Sequence, residues 1–472
     1  MLQQIIRNEW RLWRRDGRTG WLLATIAALG LLAWVLQLHD TSKKAGVRQA
    51  AQQASRTAWL LQGEKHPHIA AHFGNYAYKR PSVLTVFDPG LTMYTGTSVY
   101  MEPHRQNDFL LSESAEQNTG ARFGWFTPTF VCQLLVPLLI ILLTFNLVVS
   151  DKQAGTYAVY LAQGASTRQV IFGKAAAAFL LFAGFITAYL LLAGCGAFLM
   201  AASVFPLASL LYLWLAYLVY YAVWCGTGIL VSSLAKTAGA AVSLLLLFWI
   251  VTGVILPRWA AGAGENLHPL VTNYAFKKKV AEDIANGING HDLQSDRARR
   301  MEDSVLKAAH ADSVQQLPFN LEGYIMQRGE EYSSRVYDMH FSRIYAELEN
   351  QRRVQSLFAL ASPPMLLRNL SMAAANASLE TEIVFQQDAE KYRRHFVQAM
   401  NSDMMLHSTY GNQGWDQYKV KKSLYGDIHD FEAPTRPLRW RLYFVEMEQL
   451  FLLLWLLLTA GALAWISRKN YR

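Results

Sequence analysis

Apolar residues in this chain gather into six long blocks: Trp21–Leu38, Pro128–Val149, Ala175–Met200, Leu207–Leu234, Gly239–Leu256 and Leu450–Ile466. Each is close to the ~20 residues that a helix rising ~1.5 Å per residue needs to cross a ~30 Å hydrocarbon layer. No Asp, Glu, Lys or Arg lies inside any of them. The pattern predicts an all-α polytopic membrane protein with six transmembrane helices.

The polar stretches have patterns of their own. In residues 1–20, Leu2, Ile5, Ile6, Trp10 and Trp13 recur at helical spacing with arginines on the other face. That is the signature of a helix lying in the membrane interface. Residues 39–127 form a first exterior segment. It opens on an Ala- and Gln-rich stretch, Thr41–Gln62, that extends the first span outward, and then becomes irregular with short strands, rich in Gly, Pro and aromatics. Residues 257–449 form a larger, mainly helical exterior domain. Apolar residues at helical intervals predict helices over Gly329–Leu360 and Thr381–Leu406, with Ser362-Pro363-Pro364 as a stop and a new start. The pairs Glu330-Glu331 and Glu380/Glu382 read as first-turn acids favoured by the helix dipole.

Charge sets the expected orientation. Arg7, Arg11, Arg14, Arg15 and Arg18 precede the first block, which is long for a signal-peptide core and has no small-x-small cleavage site after Leu38. A retained signal anchor is expected. With six spans these arginines share one side with Lys152, Arg168, Lys174, Lys236, Arg468, Lys469 and Arg472. The positive-inside rule then puts both termini, the segment 150–174 and the tail 467–472 in the cytoplasm. The expected location is a bacterial inner membrane, with both large segments in the periplasm. The 472 residues carry only 17% charged side chains and a net charge of +9, which topology accounts for. No basic run interleaved with aromatics is present, so no nucleic-acid partner is expected. Cys132, Cys195 and Cys225 all fall inside predicted spans, so neither exterior segment is a disulfide scaffold.

Catalytic signatures are missing. Gly173-Lys174 lacks the leading glycine and following hydroxyl of a phosphate-binding loop, and neither His-Glu-x-x-His nor Gly-x-Ser-x-Gly occurs. The chain is not expected to be an enzyme or to bind a cofactor. His66, His68 and His72, with Glu102, His104 and Asp108 further on, are weak candidates for a metal. Imidazoles suit zinc or copper, but His66 and His72 need not share a face, and capping or interfacial histidines are commoner. No metal site is assigned on the sequence. Asn146, Tyr189, Tyr217 and Tyr220, with Cys225, are the polar or polarisable groups that could line a path across the bilayer; packing aromatics are the commoner alternative.

The segment Asp151–Lys174, DKQAGTYAVYLAQGASTRQVIFGK, combines Asp-x-x-x-Gly-Thr, a short amphipathic helix at Thr156–Leu161, a turn at Gly164, then Ser-x-Arg and a closing Gly-Lys. It resembles the coupling segment of ABC-2-type transporter permeases. LPFNLEGYIMQRGEEYSSRVYDMHF and SPPMLLRNLSMAAANAS, with HPHIAAHFGNYAY and FDPGLTMYTGTSVYMEPHRQN, resemble a subgroup of those permeases with a large exterior insertion before the last span. Asp151 stands where the broad family usually has Glu, and Ala165 where Pro often precedes the Ser/Arg pair. The resemblance implies a permease subunit of an ABC transporter, in which a separate ATP-binding subunit carries ATP and Mg. It further implies pairing with a second permease chain, identical or different, and transport in the commoner export direction. Residues 2–18 would be an elbow helix against the ATPase. Asp151, Gly155, Thr156, Leu161 and Arg168, with Arg11 and Arg14, are expected to couple the two subunits. A periplasmic or outer-membrane partner could dock on the exterior segments. The alternative is a non-transporting assembly or anchor that transmits force from the same kind of ATPase.

Overall fold

The computed structural model describes residues 1–110, 126–200, 205–287, 295–409 and 418–468. Lys469 and Arg472, which entered the charge count, lie outside the described residues, as do parts of both large polar segments.

Helix α1 (Leu2–Arg15) ends at Asp16, whose carboxylate caps the next helix by accepting the Arg18 amide. Helix α2 runs unbroken from Gly17 to Leu61, 45 residues. The Ala/Gln-rich stretch therefore continues the first span. At ~1.5 Å per residue α2 is ~67 Å long, about twice a hydrocarbon layer. The other spans are α4 (Pro128–Gln153), α6 (Thr167–Leu199), α7 (Leu207–Leu234), α8 (Ala238–Leu267) and α16 (Glu446–Ile466). Among the described residues, six helices are thus long and apolar enough to cross a membrane. The fifth continues eleven residues beyond the expected Leu256. Two spans contain a π-turn, at Val131–Leu135 and Val251–Ile255, each followed at once by a helical segment with proline in its first turn. Because proline brings no N–H, a carbonyl in the preceding turn needs another donor. Large apolar side chains left uncovered on α2, α8 and α16, such as Leu31, Leu36, Leu244, Leu247, Leu453 and Leu457, suit lipid chains.

Helix α1 and the end of α16 meet at one end of the bundle. Ile5, Val148, Tyr157, Val170, Ile229, Leu463 and Ile466 share one buried cluster there. We call this the proximal end and the opposite one the distal end. At the distal end lie α3 (Pro67–His72) and a small antiparallel sheet of β1 (Asn75–Tyr78), β2 (Ser98–Met101) and β3 (Phe109–Leu110), in the order β1-β2-β3. With them stand the helices α9 (Asn273–Ala285), α10 (Asp296–Ala309), α11 (Leu321–Ala359), α12 (Pro363–Ala374), α13 (Leu379–His407), α14 (Lys422–Asp427) and α15 (Leu438–Tyr443). Helix α13 covers the expected Thr381–Leu406 and overruns it, while α11 starts eight residues before the expected Gly329 and ends at Ala359, one residue short of Leu360. Because α11 begins at Leu321, Glu330 sits two to three turns inside it rather than in its first turn, buried against Arg393 and His104. The dipole reading of Glu330 is therefore corrected. Glu380 and Glu382 do lie in the first turn of α13, but they are buried in ion pairs with Arg352 and Lys79.

Two distal elements enter the core of the membrane bundle. Ser362 caps α12 by accepting the Met365 amide and donates 2.6 Å to the carbonyl of Thr252, inside the second π-turn. Leu366, Leu367, Leu370, Ala373 and Ala374 of α12 then share one core with Val136, Tyr217 and Trp224. The loop 83–94 does the same, with Leu84 and Phe87 buried in that core and the Phe87 ring edge-on to Tyr189 and Tyr217. A second distal core centres on Trp59 at the far end of α2. Its indole donates 3.0 Å to the carbonyl of Tyr425 and meets Phe396 and Tyr425 edge-to-face.

Candidate functional site

The proximal end is organised by one buried cation. Lys174, 1% exposed, sits near the start of α6 with its Nζ 2.5 Å from Glu9 Oε1 and 2.7 Å from Asp151 Oδ2. These three residues belong to α1, to the end of α4 and to α6. One ammonium thus ties the amphipathic helix, the segment between the second and third spans, and the third span itself. Leaving either carboxylate without it is costly, because a buried charge without a partner loses several kcal/mol of solvation with no return. Around the ion cluster α1 is held by shape as well. Ile5 lies directly on Gly173, where a Cβ would come within 2.8 Å of it. Asn8 donates 2.9 Å to the Tyr160 hydroxyl, and the Trp10 indole 3.1 Å to the carbonyl of Ala177.

Local sequence explains the turn that follows α4. Gly155 takes a left-handed φ of +76°, which other L-residues adopt only at a cost, and starts α5 (Thr156–Ala162). Thr156 closes the turn by donating 2.8 Å to Asp151 Oδ1. So Asp151 serves the Thr156 hydroxyl with one oxygen and Lys174 with the other. Gly164, also left-handed at φ +86°, ends α5, and Ser166 with Gln169 forms a reciprocal capping box at the start of α6. The base of the loop is tied to the end of α7: Ser232 Oγ accepts the amides of Val148 and Val149, and Lys152 donates 2.7 Å to the carbonyl of Ser233. Burial raises the phenols of Tyr157 and Tyr160 above their ordinary range, against the pull of Lys174, so both remain neutral.

The residues singled out from sequence divide by exposure. Gly155, Thr156 and Arg168 are exposed, Leu161 is half-buried, and Asp151 faces inward to the ion cluster. Arg11 and Arg14 are exposed on α1. Glu9 was missed, although it is the one acid in the arginine-rich stretch 2–15, an unusual placement that could have marked it. The span residues take bracing positions within the single chain. Tyr189 donates 2.6 Å to the carbonyl of Gly30, and Tyr220 donates 2.6 Å to that of Gln133. Tyr217 accepts 2.9 Å from the Gln133 side chain, and Cys225 is buried. The partner of Tyr217 and Tyr220 is Gln133, inside the first π-turn, whose carbonyls need donors. Asn146 lies half-buried in the break at residues 145–148 of α4. Of the histidines, His68 and His72 converge with His104, while His66 caps α3 by accepting the His68 amide at its Nδ1.

The model of the ABC-2 family transporter proteins matches residues 3–292, more than half the chain. The chain belongs to that family. A domain of unknown function, DUF3526, matches residues 274–433, which is most of the distal helical part. A comparison with curated proteins finds no match. The ABC-2 membership makes this chain a multi-pass transport component, not itself the catalyst, that works in lipid with an ABC ATP-binding subunit.

Proposed function

We propose that this ABC-2 permease couples ATP hydrolysis on a separate subunit to export of a substrate, with the surface from Gly155 to Arg168 and the basic face of α1 as the contact. In this reading the proximal end is cytoplasmic in a bacterial inner membrane, the distal domain is periplasmic, two permease chains pair, and ATP with Mg sits on the partner subunits. The observation that carries it is the Glu9–Lys174–Asp151 cluster. A push on exposed α5 is transmitted through Asp151 to Lys174, and so to α6 and α1 together rather than to a loose loop. Thr156, Leu161, Arg168, Arg11 and Arg14 would form the contact itself, and Gly155 its turn.

The test is co-purification of this chain with an ABC ATP-binding subunit in nanodiscs, with ATPase activity as readout. Arg168→Glu reverses an exposed charge and is expected to weaken the complex while the permease stays folded. Gly155→Pro, which imposes a negative φ where +76° is needed, is expected to uncouple it. Lys174→Met is expected to leave assembly partly intact but to abolish stimulation of ATPase by the permease. Full stimulation in all three variants would sink this reading.

A further inference from the structure

Three imidazoles from distant parts of the first polar segment meet at the distal end, well away from the proximal cluster. His68 and His72 lie one turn apart on α3, the i, i+4 spacing that brings two side chains together on one helix face. Their Nε2 atoms are 3.1 Å apart. A zinc-class ion with two nitrogen ligands at ~2.0–2.1 Å in tetrahedral geometry separates them by about 3.3 Å. A hydrogen bond between the two Nε2 atoms needs the rings in opposite tautomers, whereas a cation between them is held by two neutral rings that both carry the proton on Nδ1. The third ring, His104, comes from the turn after β2, and one ring nitrogen from each of His68, His72 and His104 lies within 4.8 Å of the others.

His104 is placed deliberately. Its backbone is left-handed at φ +66°, uncommon for a side-chain-bearing residue and maintained only when the surroundings enforce it. The enforcing group is Glu330, buried on α11. One carboxylate oxygen accepts the His104 amide at 2.7 Å and also engages the ring Nδ1. The other oxygen is held at 3.2 Å by Arg393, which also donates to the carbonyl of Glu102 and to Glu390. With Nδ1 turned to Glu330, Nε2 is the nitrogen His104 presents to a ligand. A carboxylate behind a histidine in this way fixes its tautomer and raises its basicity as a metal ligand.

We propose that His68, His72 and His104 bind one divalent cation of the zinc class, with Glu330 as the positioning residue behind His104. Three neutral nitrogens leave a fourth position, and His72 is exposed and His104 half-buried, so water reaches it. All three ligands belong to the first polar segment, whereas Glu330 and Arg393 belong to the second. The ion therefore fastens α3 to the turn after β2, on a carboxylate supplied by α11. His66, named with the others on sequence, is outside the set. The inference is independent of the permease reading.

The experiment uses the full chain without a histidine tag, in detergent, stripped with chelator and then titrated with Zn2+ against a chromophoric competitor and with Co2+ by visible absorption. One equivalent of Zn2+ is expected, with intense d–d absorption from tetrahedral Co2+. His72→Ala, at an exposed position that tolerates truncation, and His104→Ala are each expected to abolish stoichiometric binding. Glu330→Gln is expected to weaken it by about 10- to 100-fold. His407→Ala, far along α13, is expected to bind as the unmodified chain does. Zn2+ is also expected to raise the thermal midpoint of the unmodified chain but not of His72→Ala. No stoichiometric Zn2+, a weak octahedral Co2+ spectrum, or binding retained in both His72→Ala and His104→Ala would overturn the proposal.

Discussion

At the scale of single residues, the packing of this chain turns on a few positions where there is no room and a few where charge cannot be left alone. Gly228 on α7 faces Thr144 on α4 so closely that an added Cβ would lie 2.0 Å from Thr144 Oγ1. Helix crossings this tight depend on small residues because lipid offers no hydrophobic drive between helices. Gly228→Ala is therefore expected to cost about 1–3 kcal/mol, read as a lower thermal midpoint in detergent. Thr144→Ala in the same chain is expected to return part of it. Lys174→Met is the electrostatic counterpart. It leaves Glu9 buried and Asp151 part-buried with no cation, which is expected to cost about 3 kcal/mol and to make α1 sensitive to protease. Arg168→Glu, at an exposed site, is expected to leave the stability within about 0.5 kcal/mol of the unmodified chain. A similar loss in Lys174→Met and Arg168→Glu would refute the distinction between them.

At the scale of elements, the loop 83–94 shows how a soluble-looking segment becomes part of a membrane core. Asp88 follows buried Phe87 and is itself buried; its Oδ1 accepts the Gly90 amide at 3.0 Å. Burial pushes its carboxyl up to about 6, against the opposing pull of Ser371, the Gly90 amide and Arg368. A carboxyl raised in the folded state makes the fold more stable where it is protonated. That contribution is full below the unfolded value near 3.8 and is lost as pH rises through about 6. Docking of this loop is thus expected to be firmer at pH 5 than at pH 7.5, by about 1.4 kcal/mol. Hydrogen exchange of residues 83–94 measures it, and Asp88→Asn is expected to give the firm state at both pH values.

Much of this level was legible in the sequence. Six charge-free runs of spanning length left little room for another fold, and α11 and α13 follow from periodicity that no Pro interrupts. Boundaries were less legible. Glu446 and Glu448 disguise the start of α16, since Glu448 is buried by accepting from Ser356 and Asn369, partners some 80 to 90 residues away. Pro257 and Arg258 similarly hide the continuation of α8, which absorbs the proline with a π-turn. The insertion of α12 and of the loop 83–94 into the bundle was not legible, because nothing local in Pro363–Ala374 tells a helix lying on the bundle from one inside it. The candidate sites divide the same way. The loop chemistry from Gly155 to Gln169 reads directly from its turn and cap residues. Glu9, Lys174 and Asp151 come together only through the fold, as does His104 with His68 and His72.

At the scale of the whole molecule, the two ends of the bundle are joined by α2, rooted beside α1 and anchored at its far end by Trp59. Trp59→Ala removes two edge-to-face aromatic contacts and one hydrogen bond from the distal core, at an expected cost of about 3–5 kcal/mol. Limited proteolysis is expected to show the loss first around α14, which the indole holds through Tyr425, while the membrane bundle stays intact. If α14 stays as protected as before, Trp59 does not anchor the domain.

An unbroken helix of 45 residues is also an instrument of magnification. Its root lies beside the ion cluster, where the displacement available to a ligand-driven subunit is set by a few side chains. Its tip lies ~67 Å away, so a tilt of about 10° about the root carries Trp59 through about 11 Å. A modest rearrangement at one face of the bilayer would thus become, at the other, a stroke wide enough to shift a whole domain.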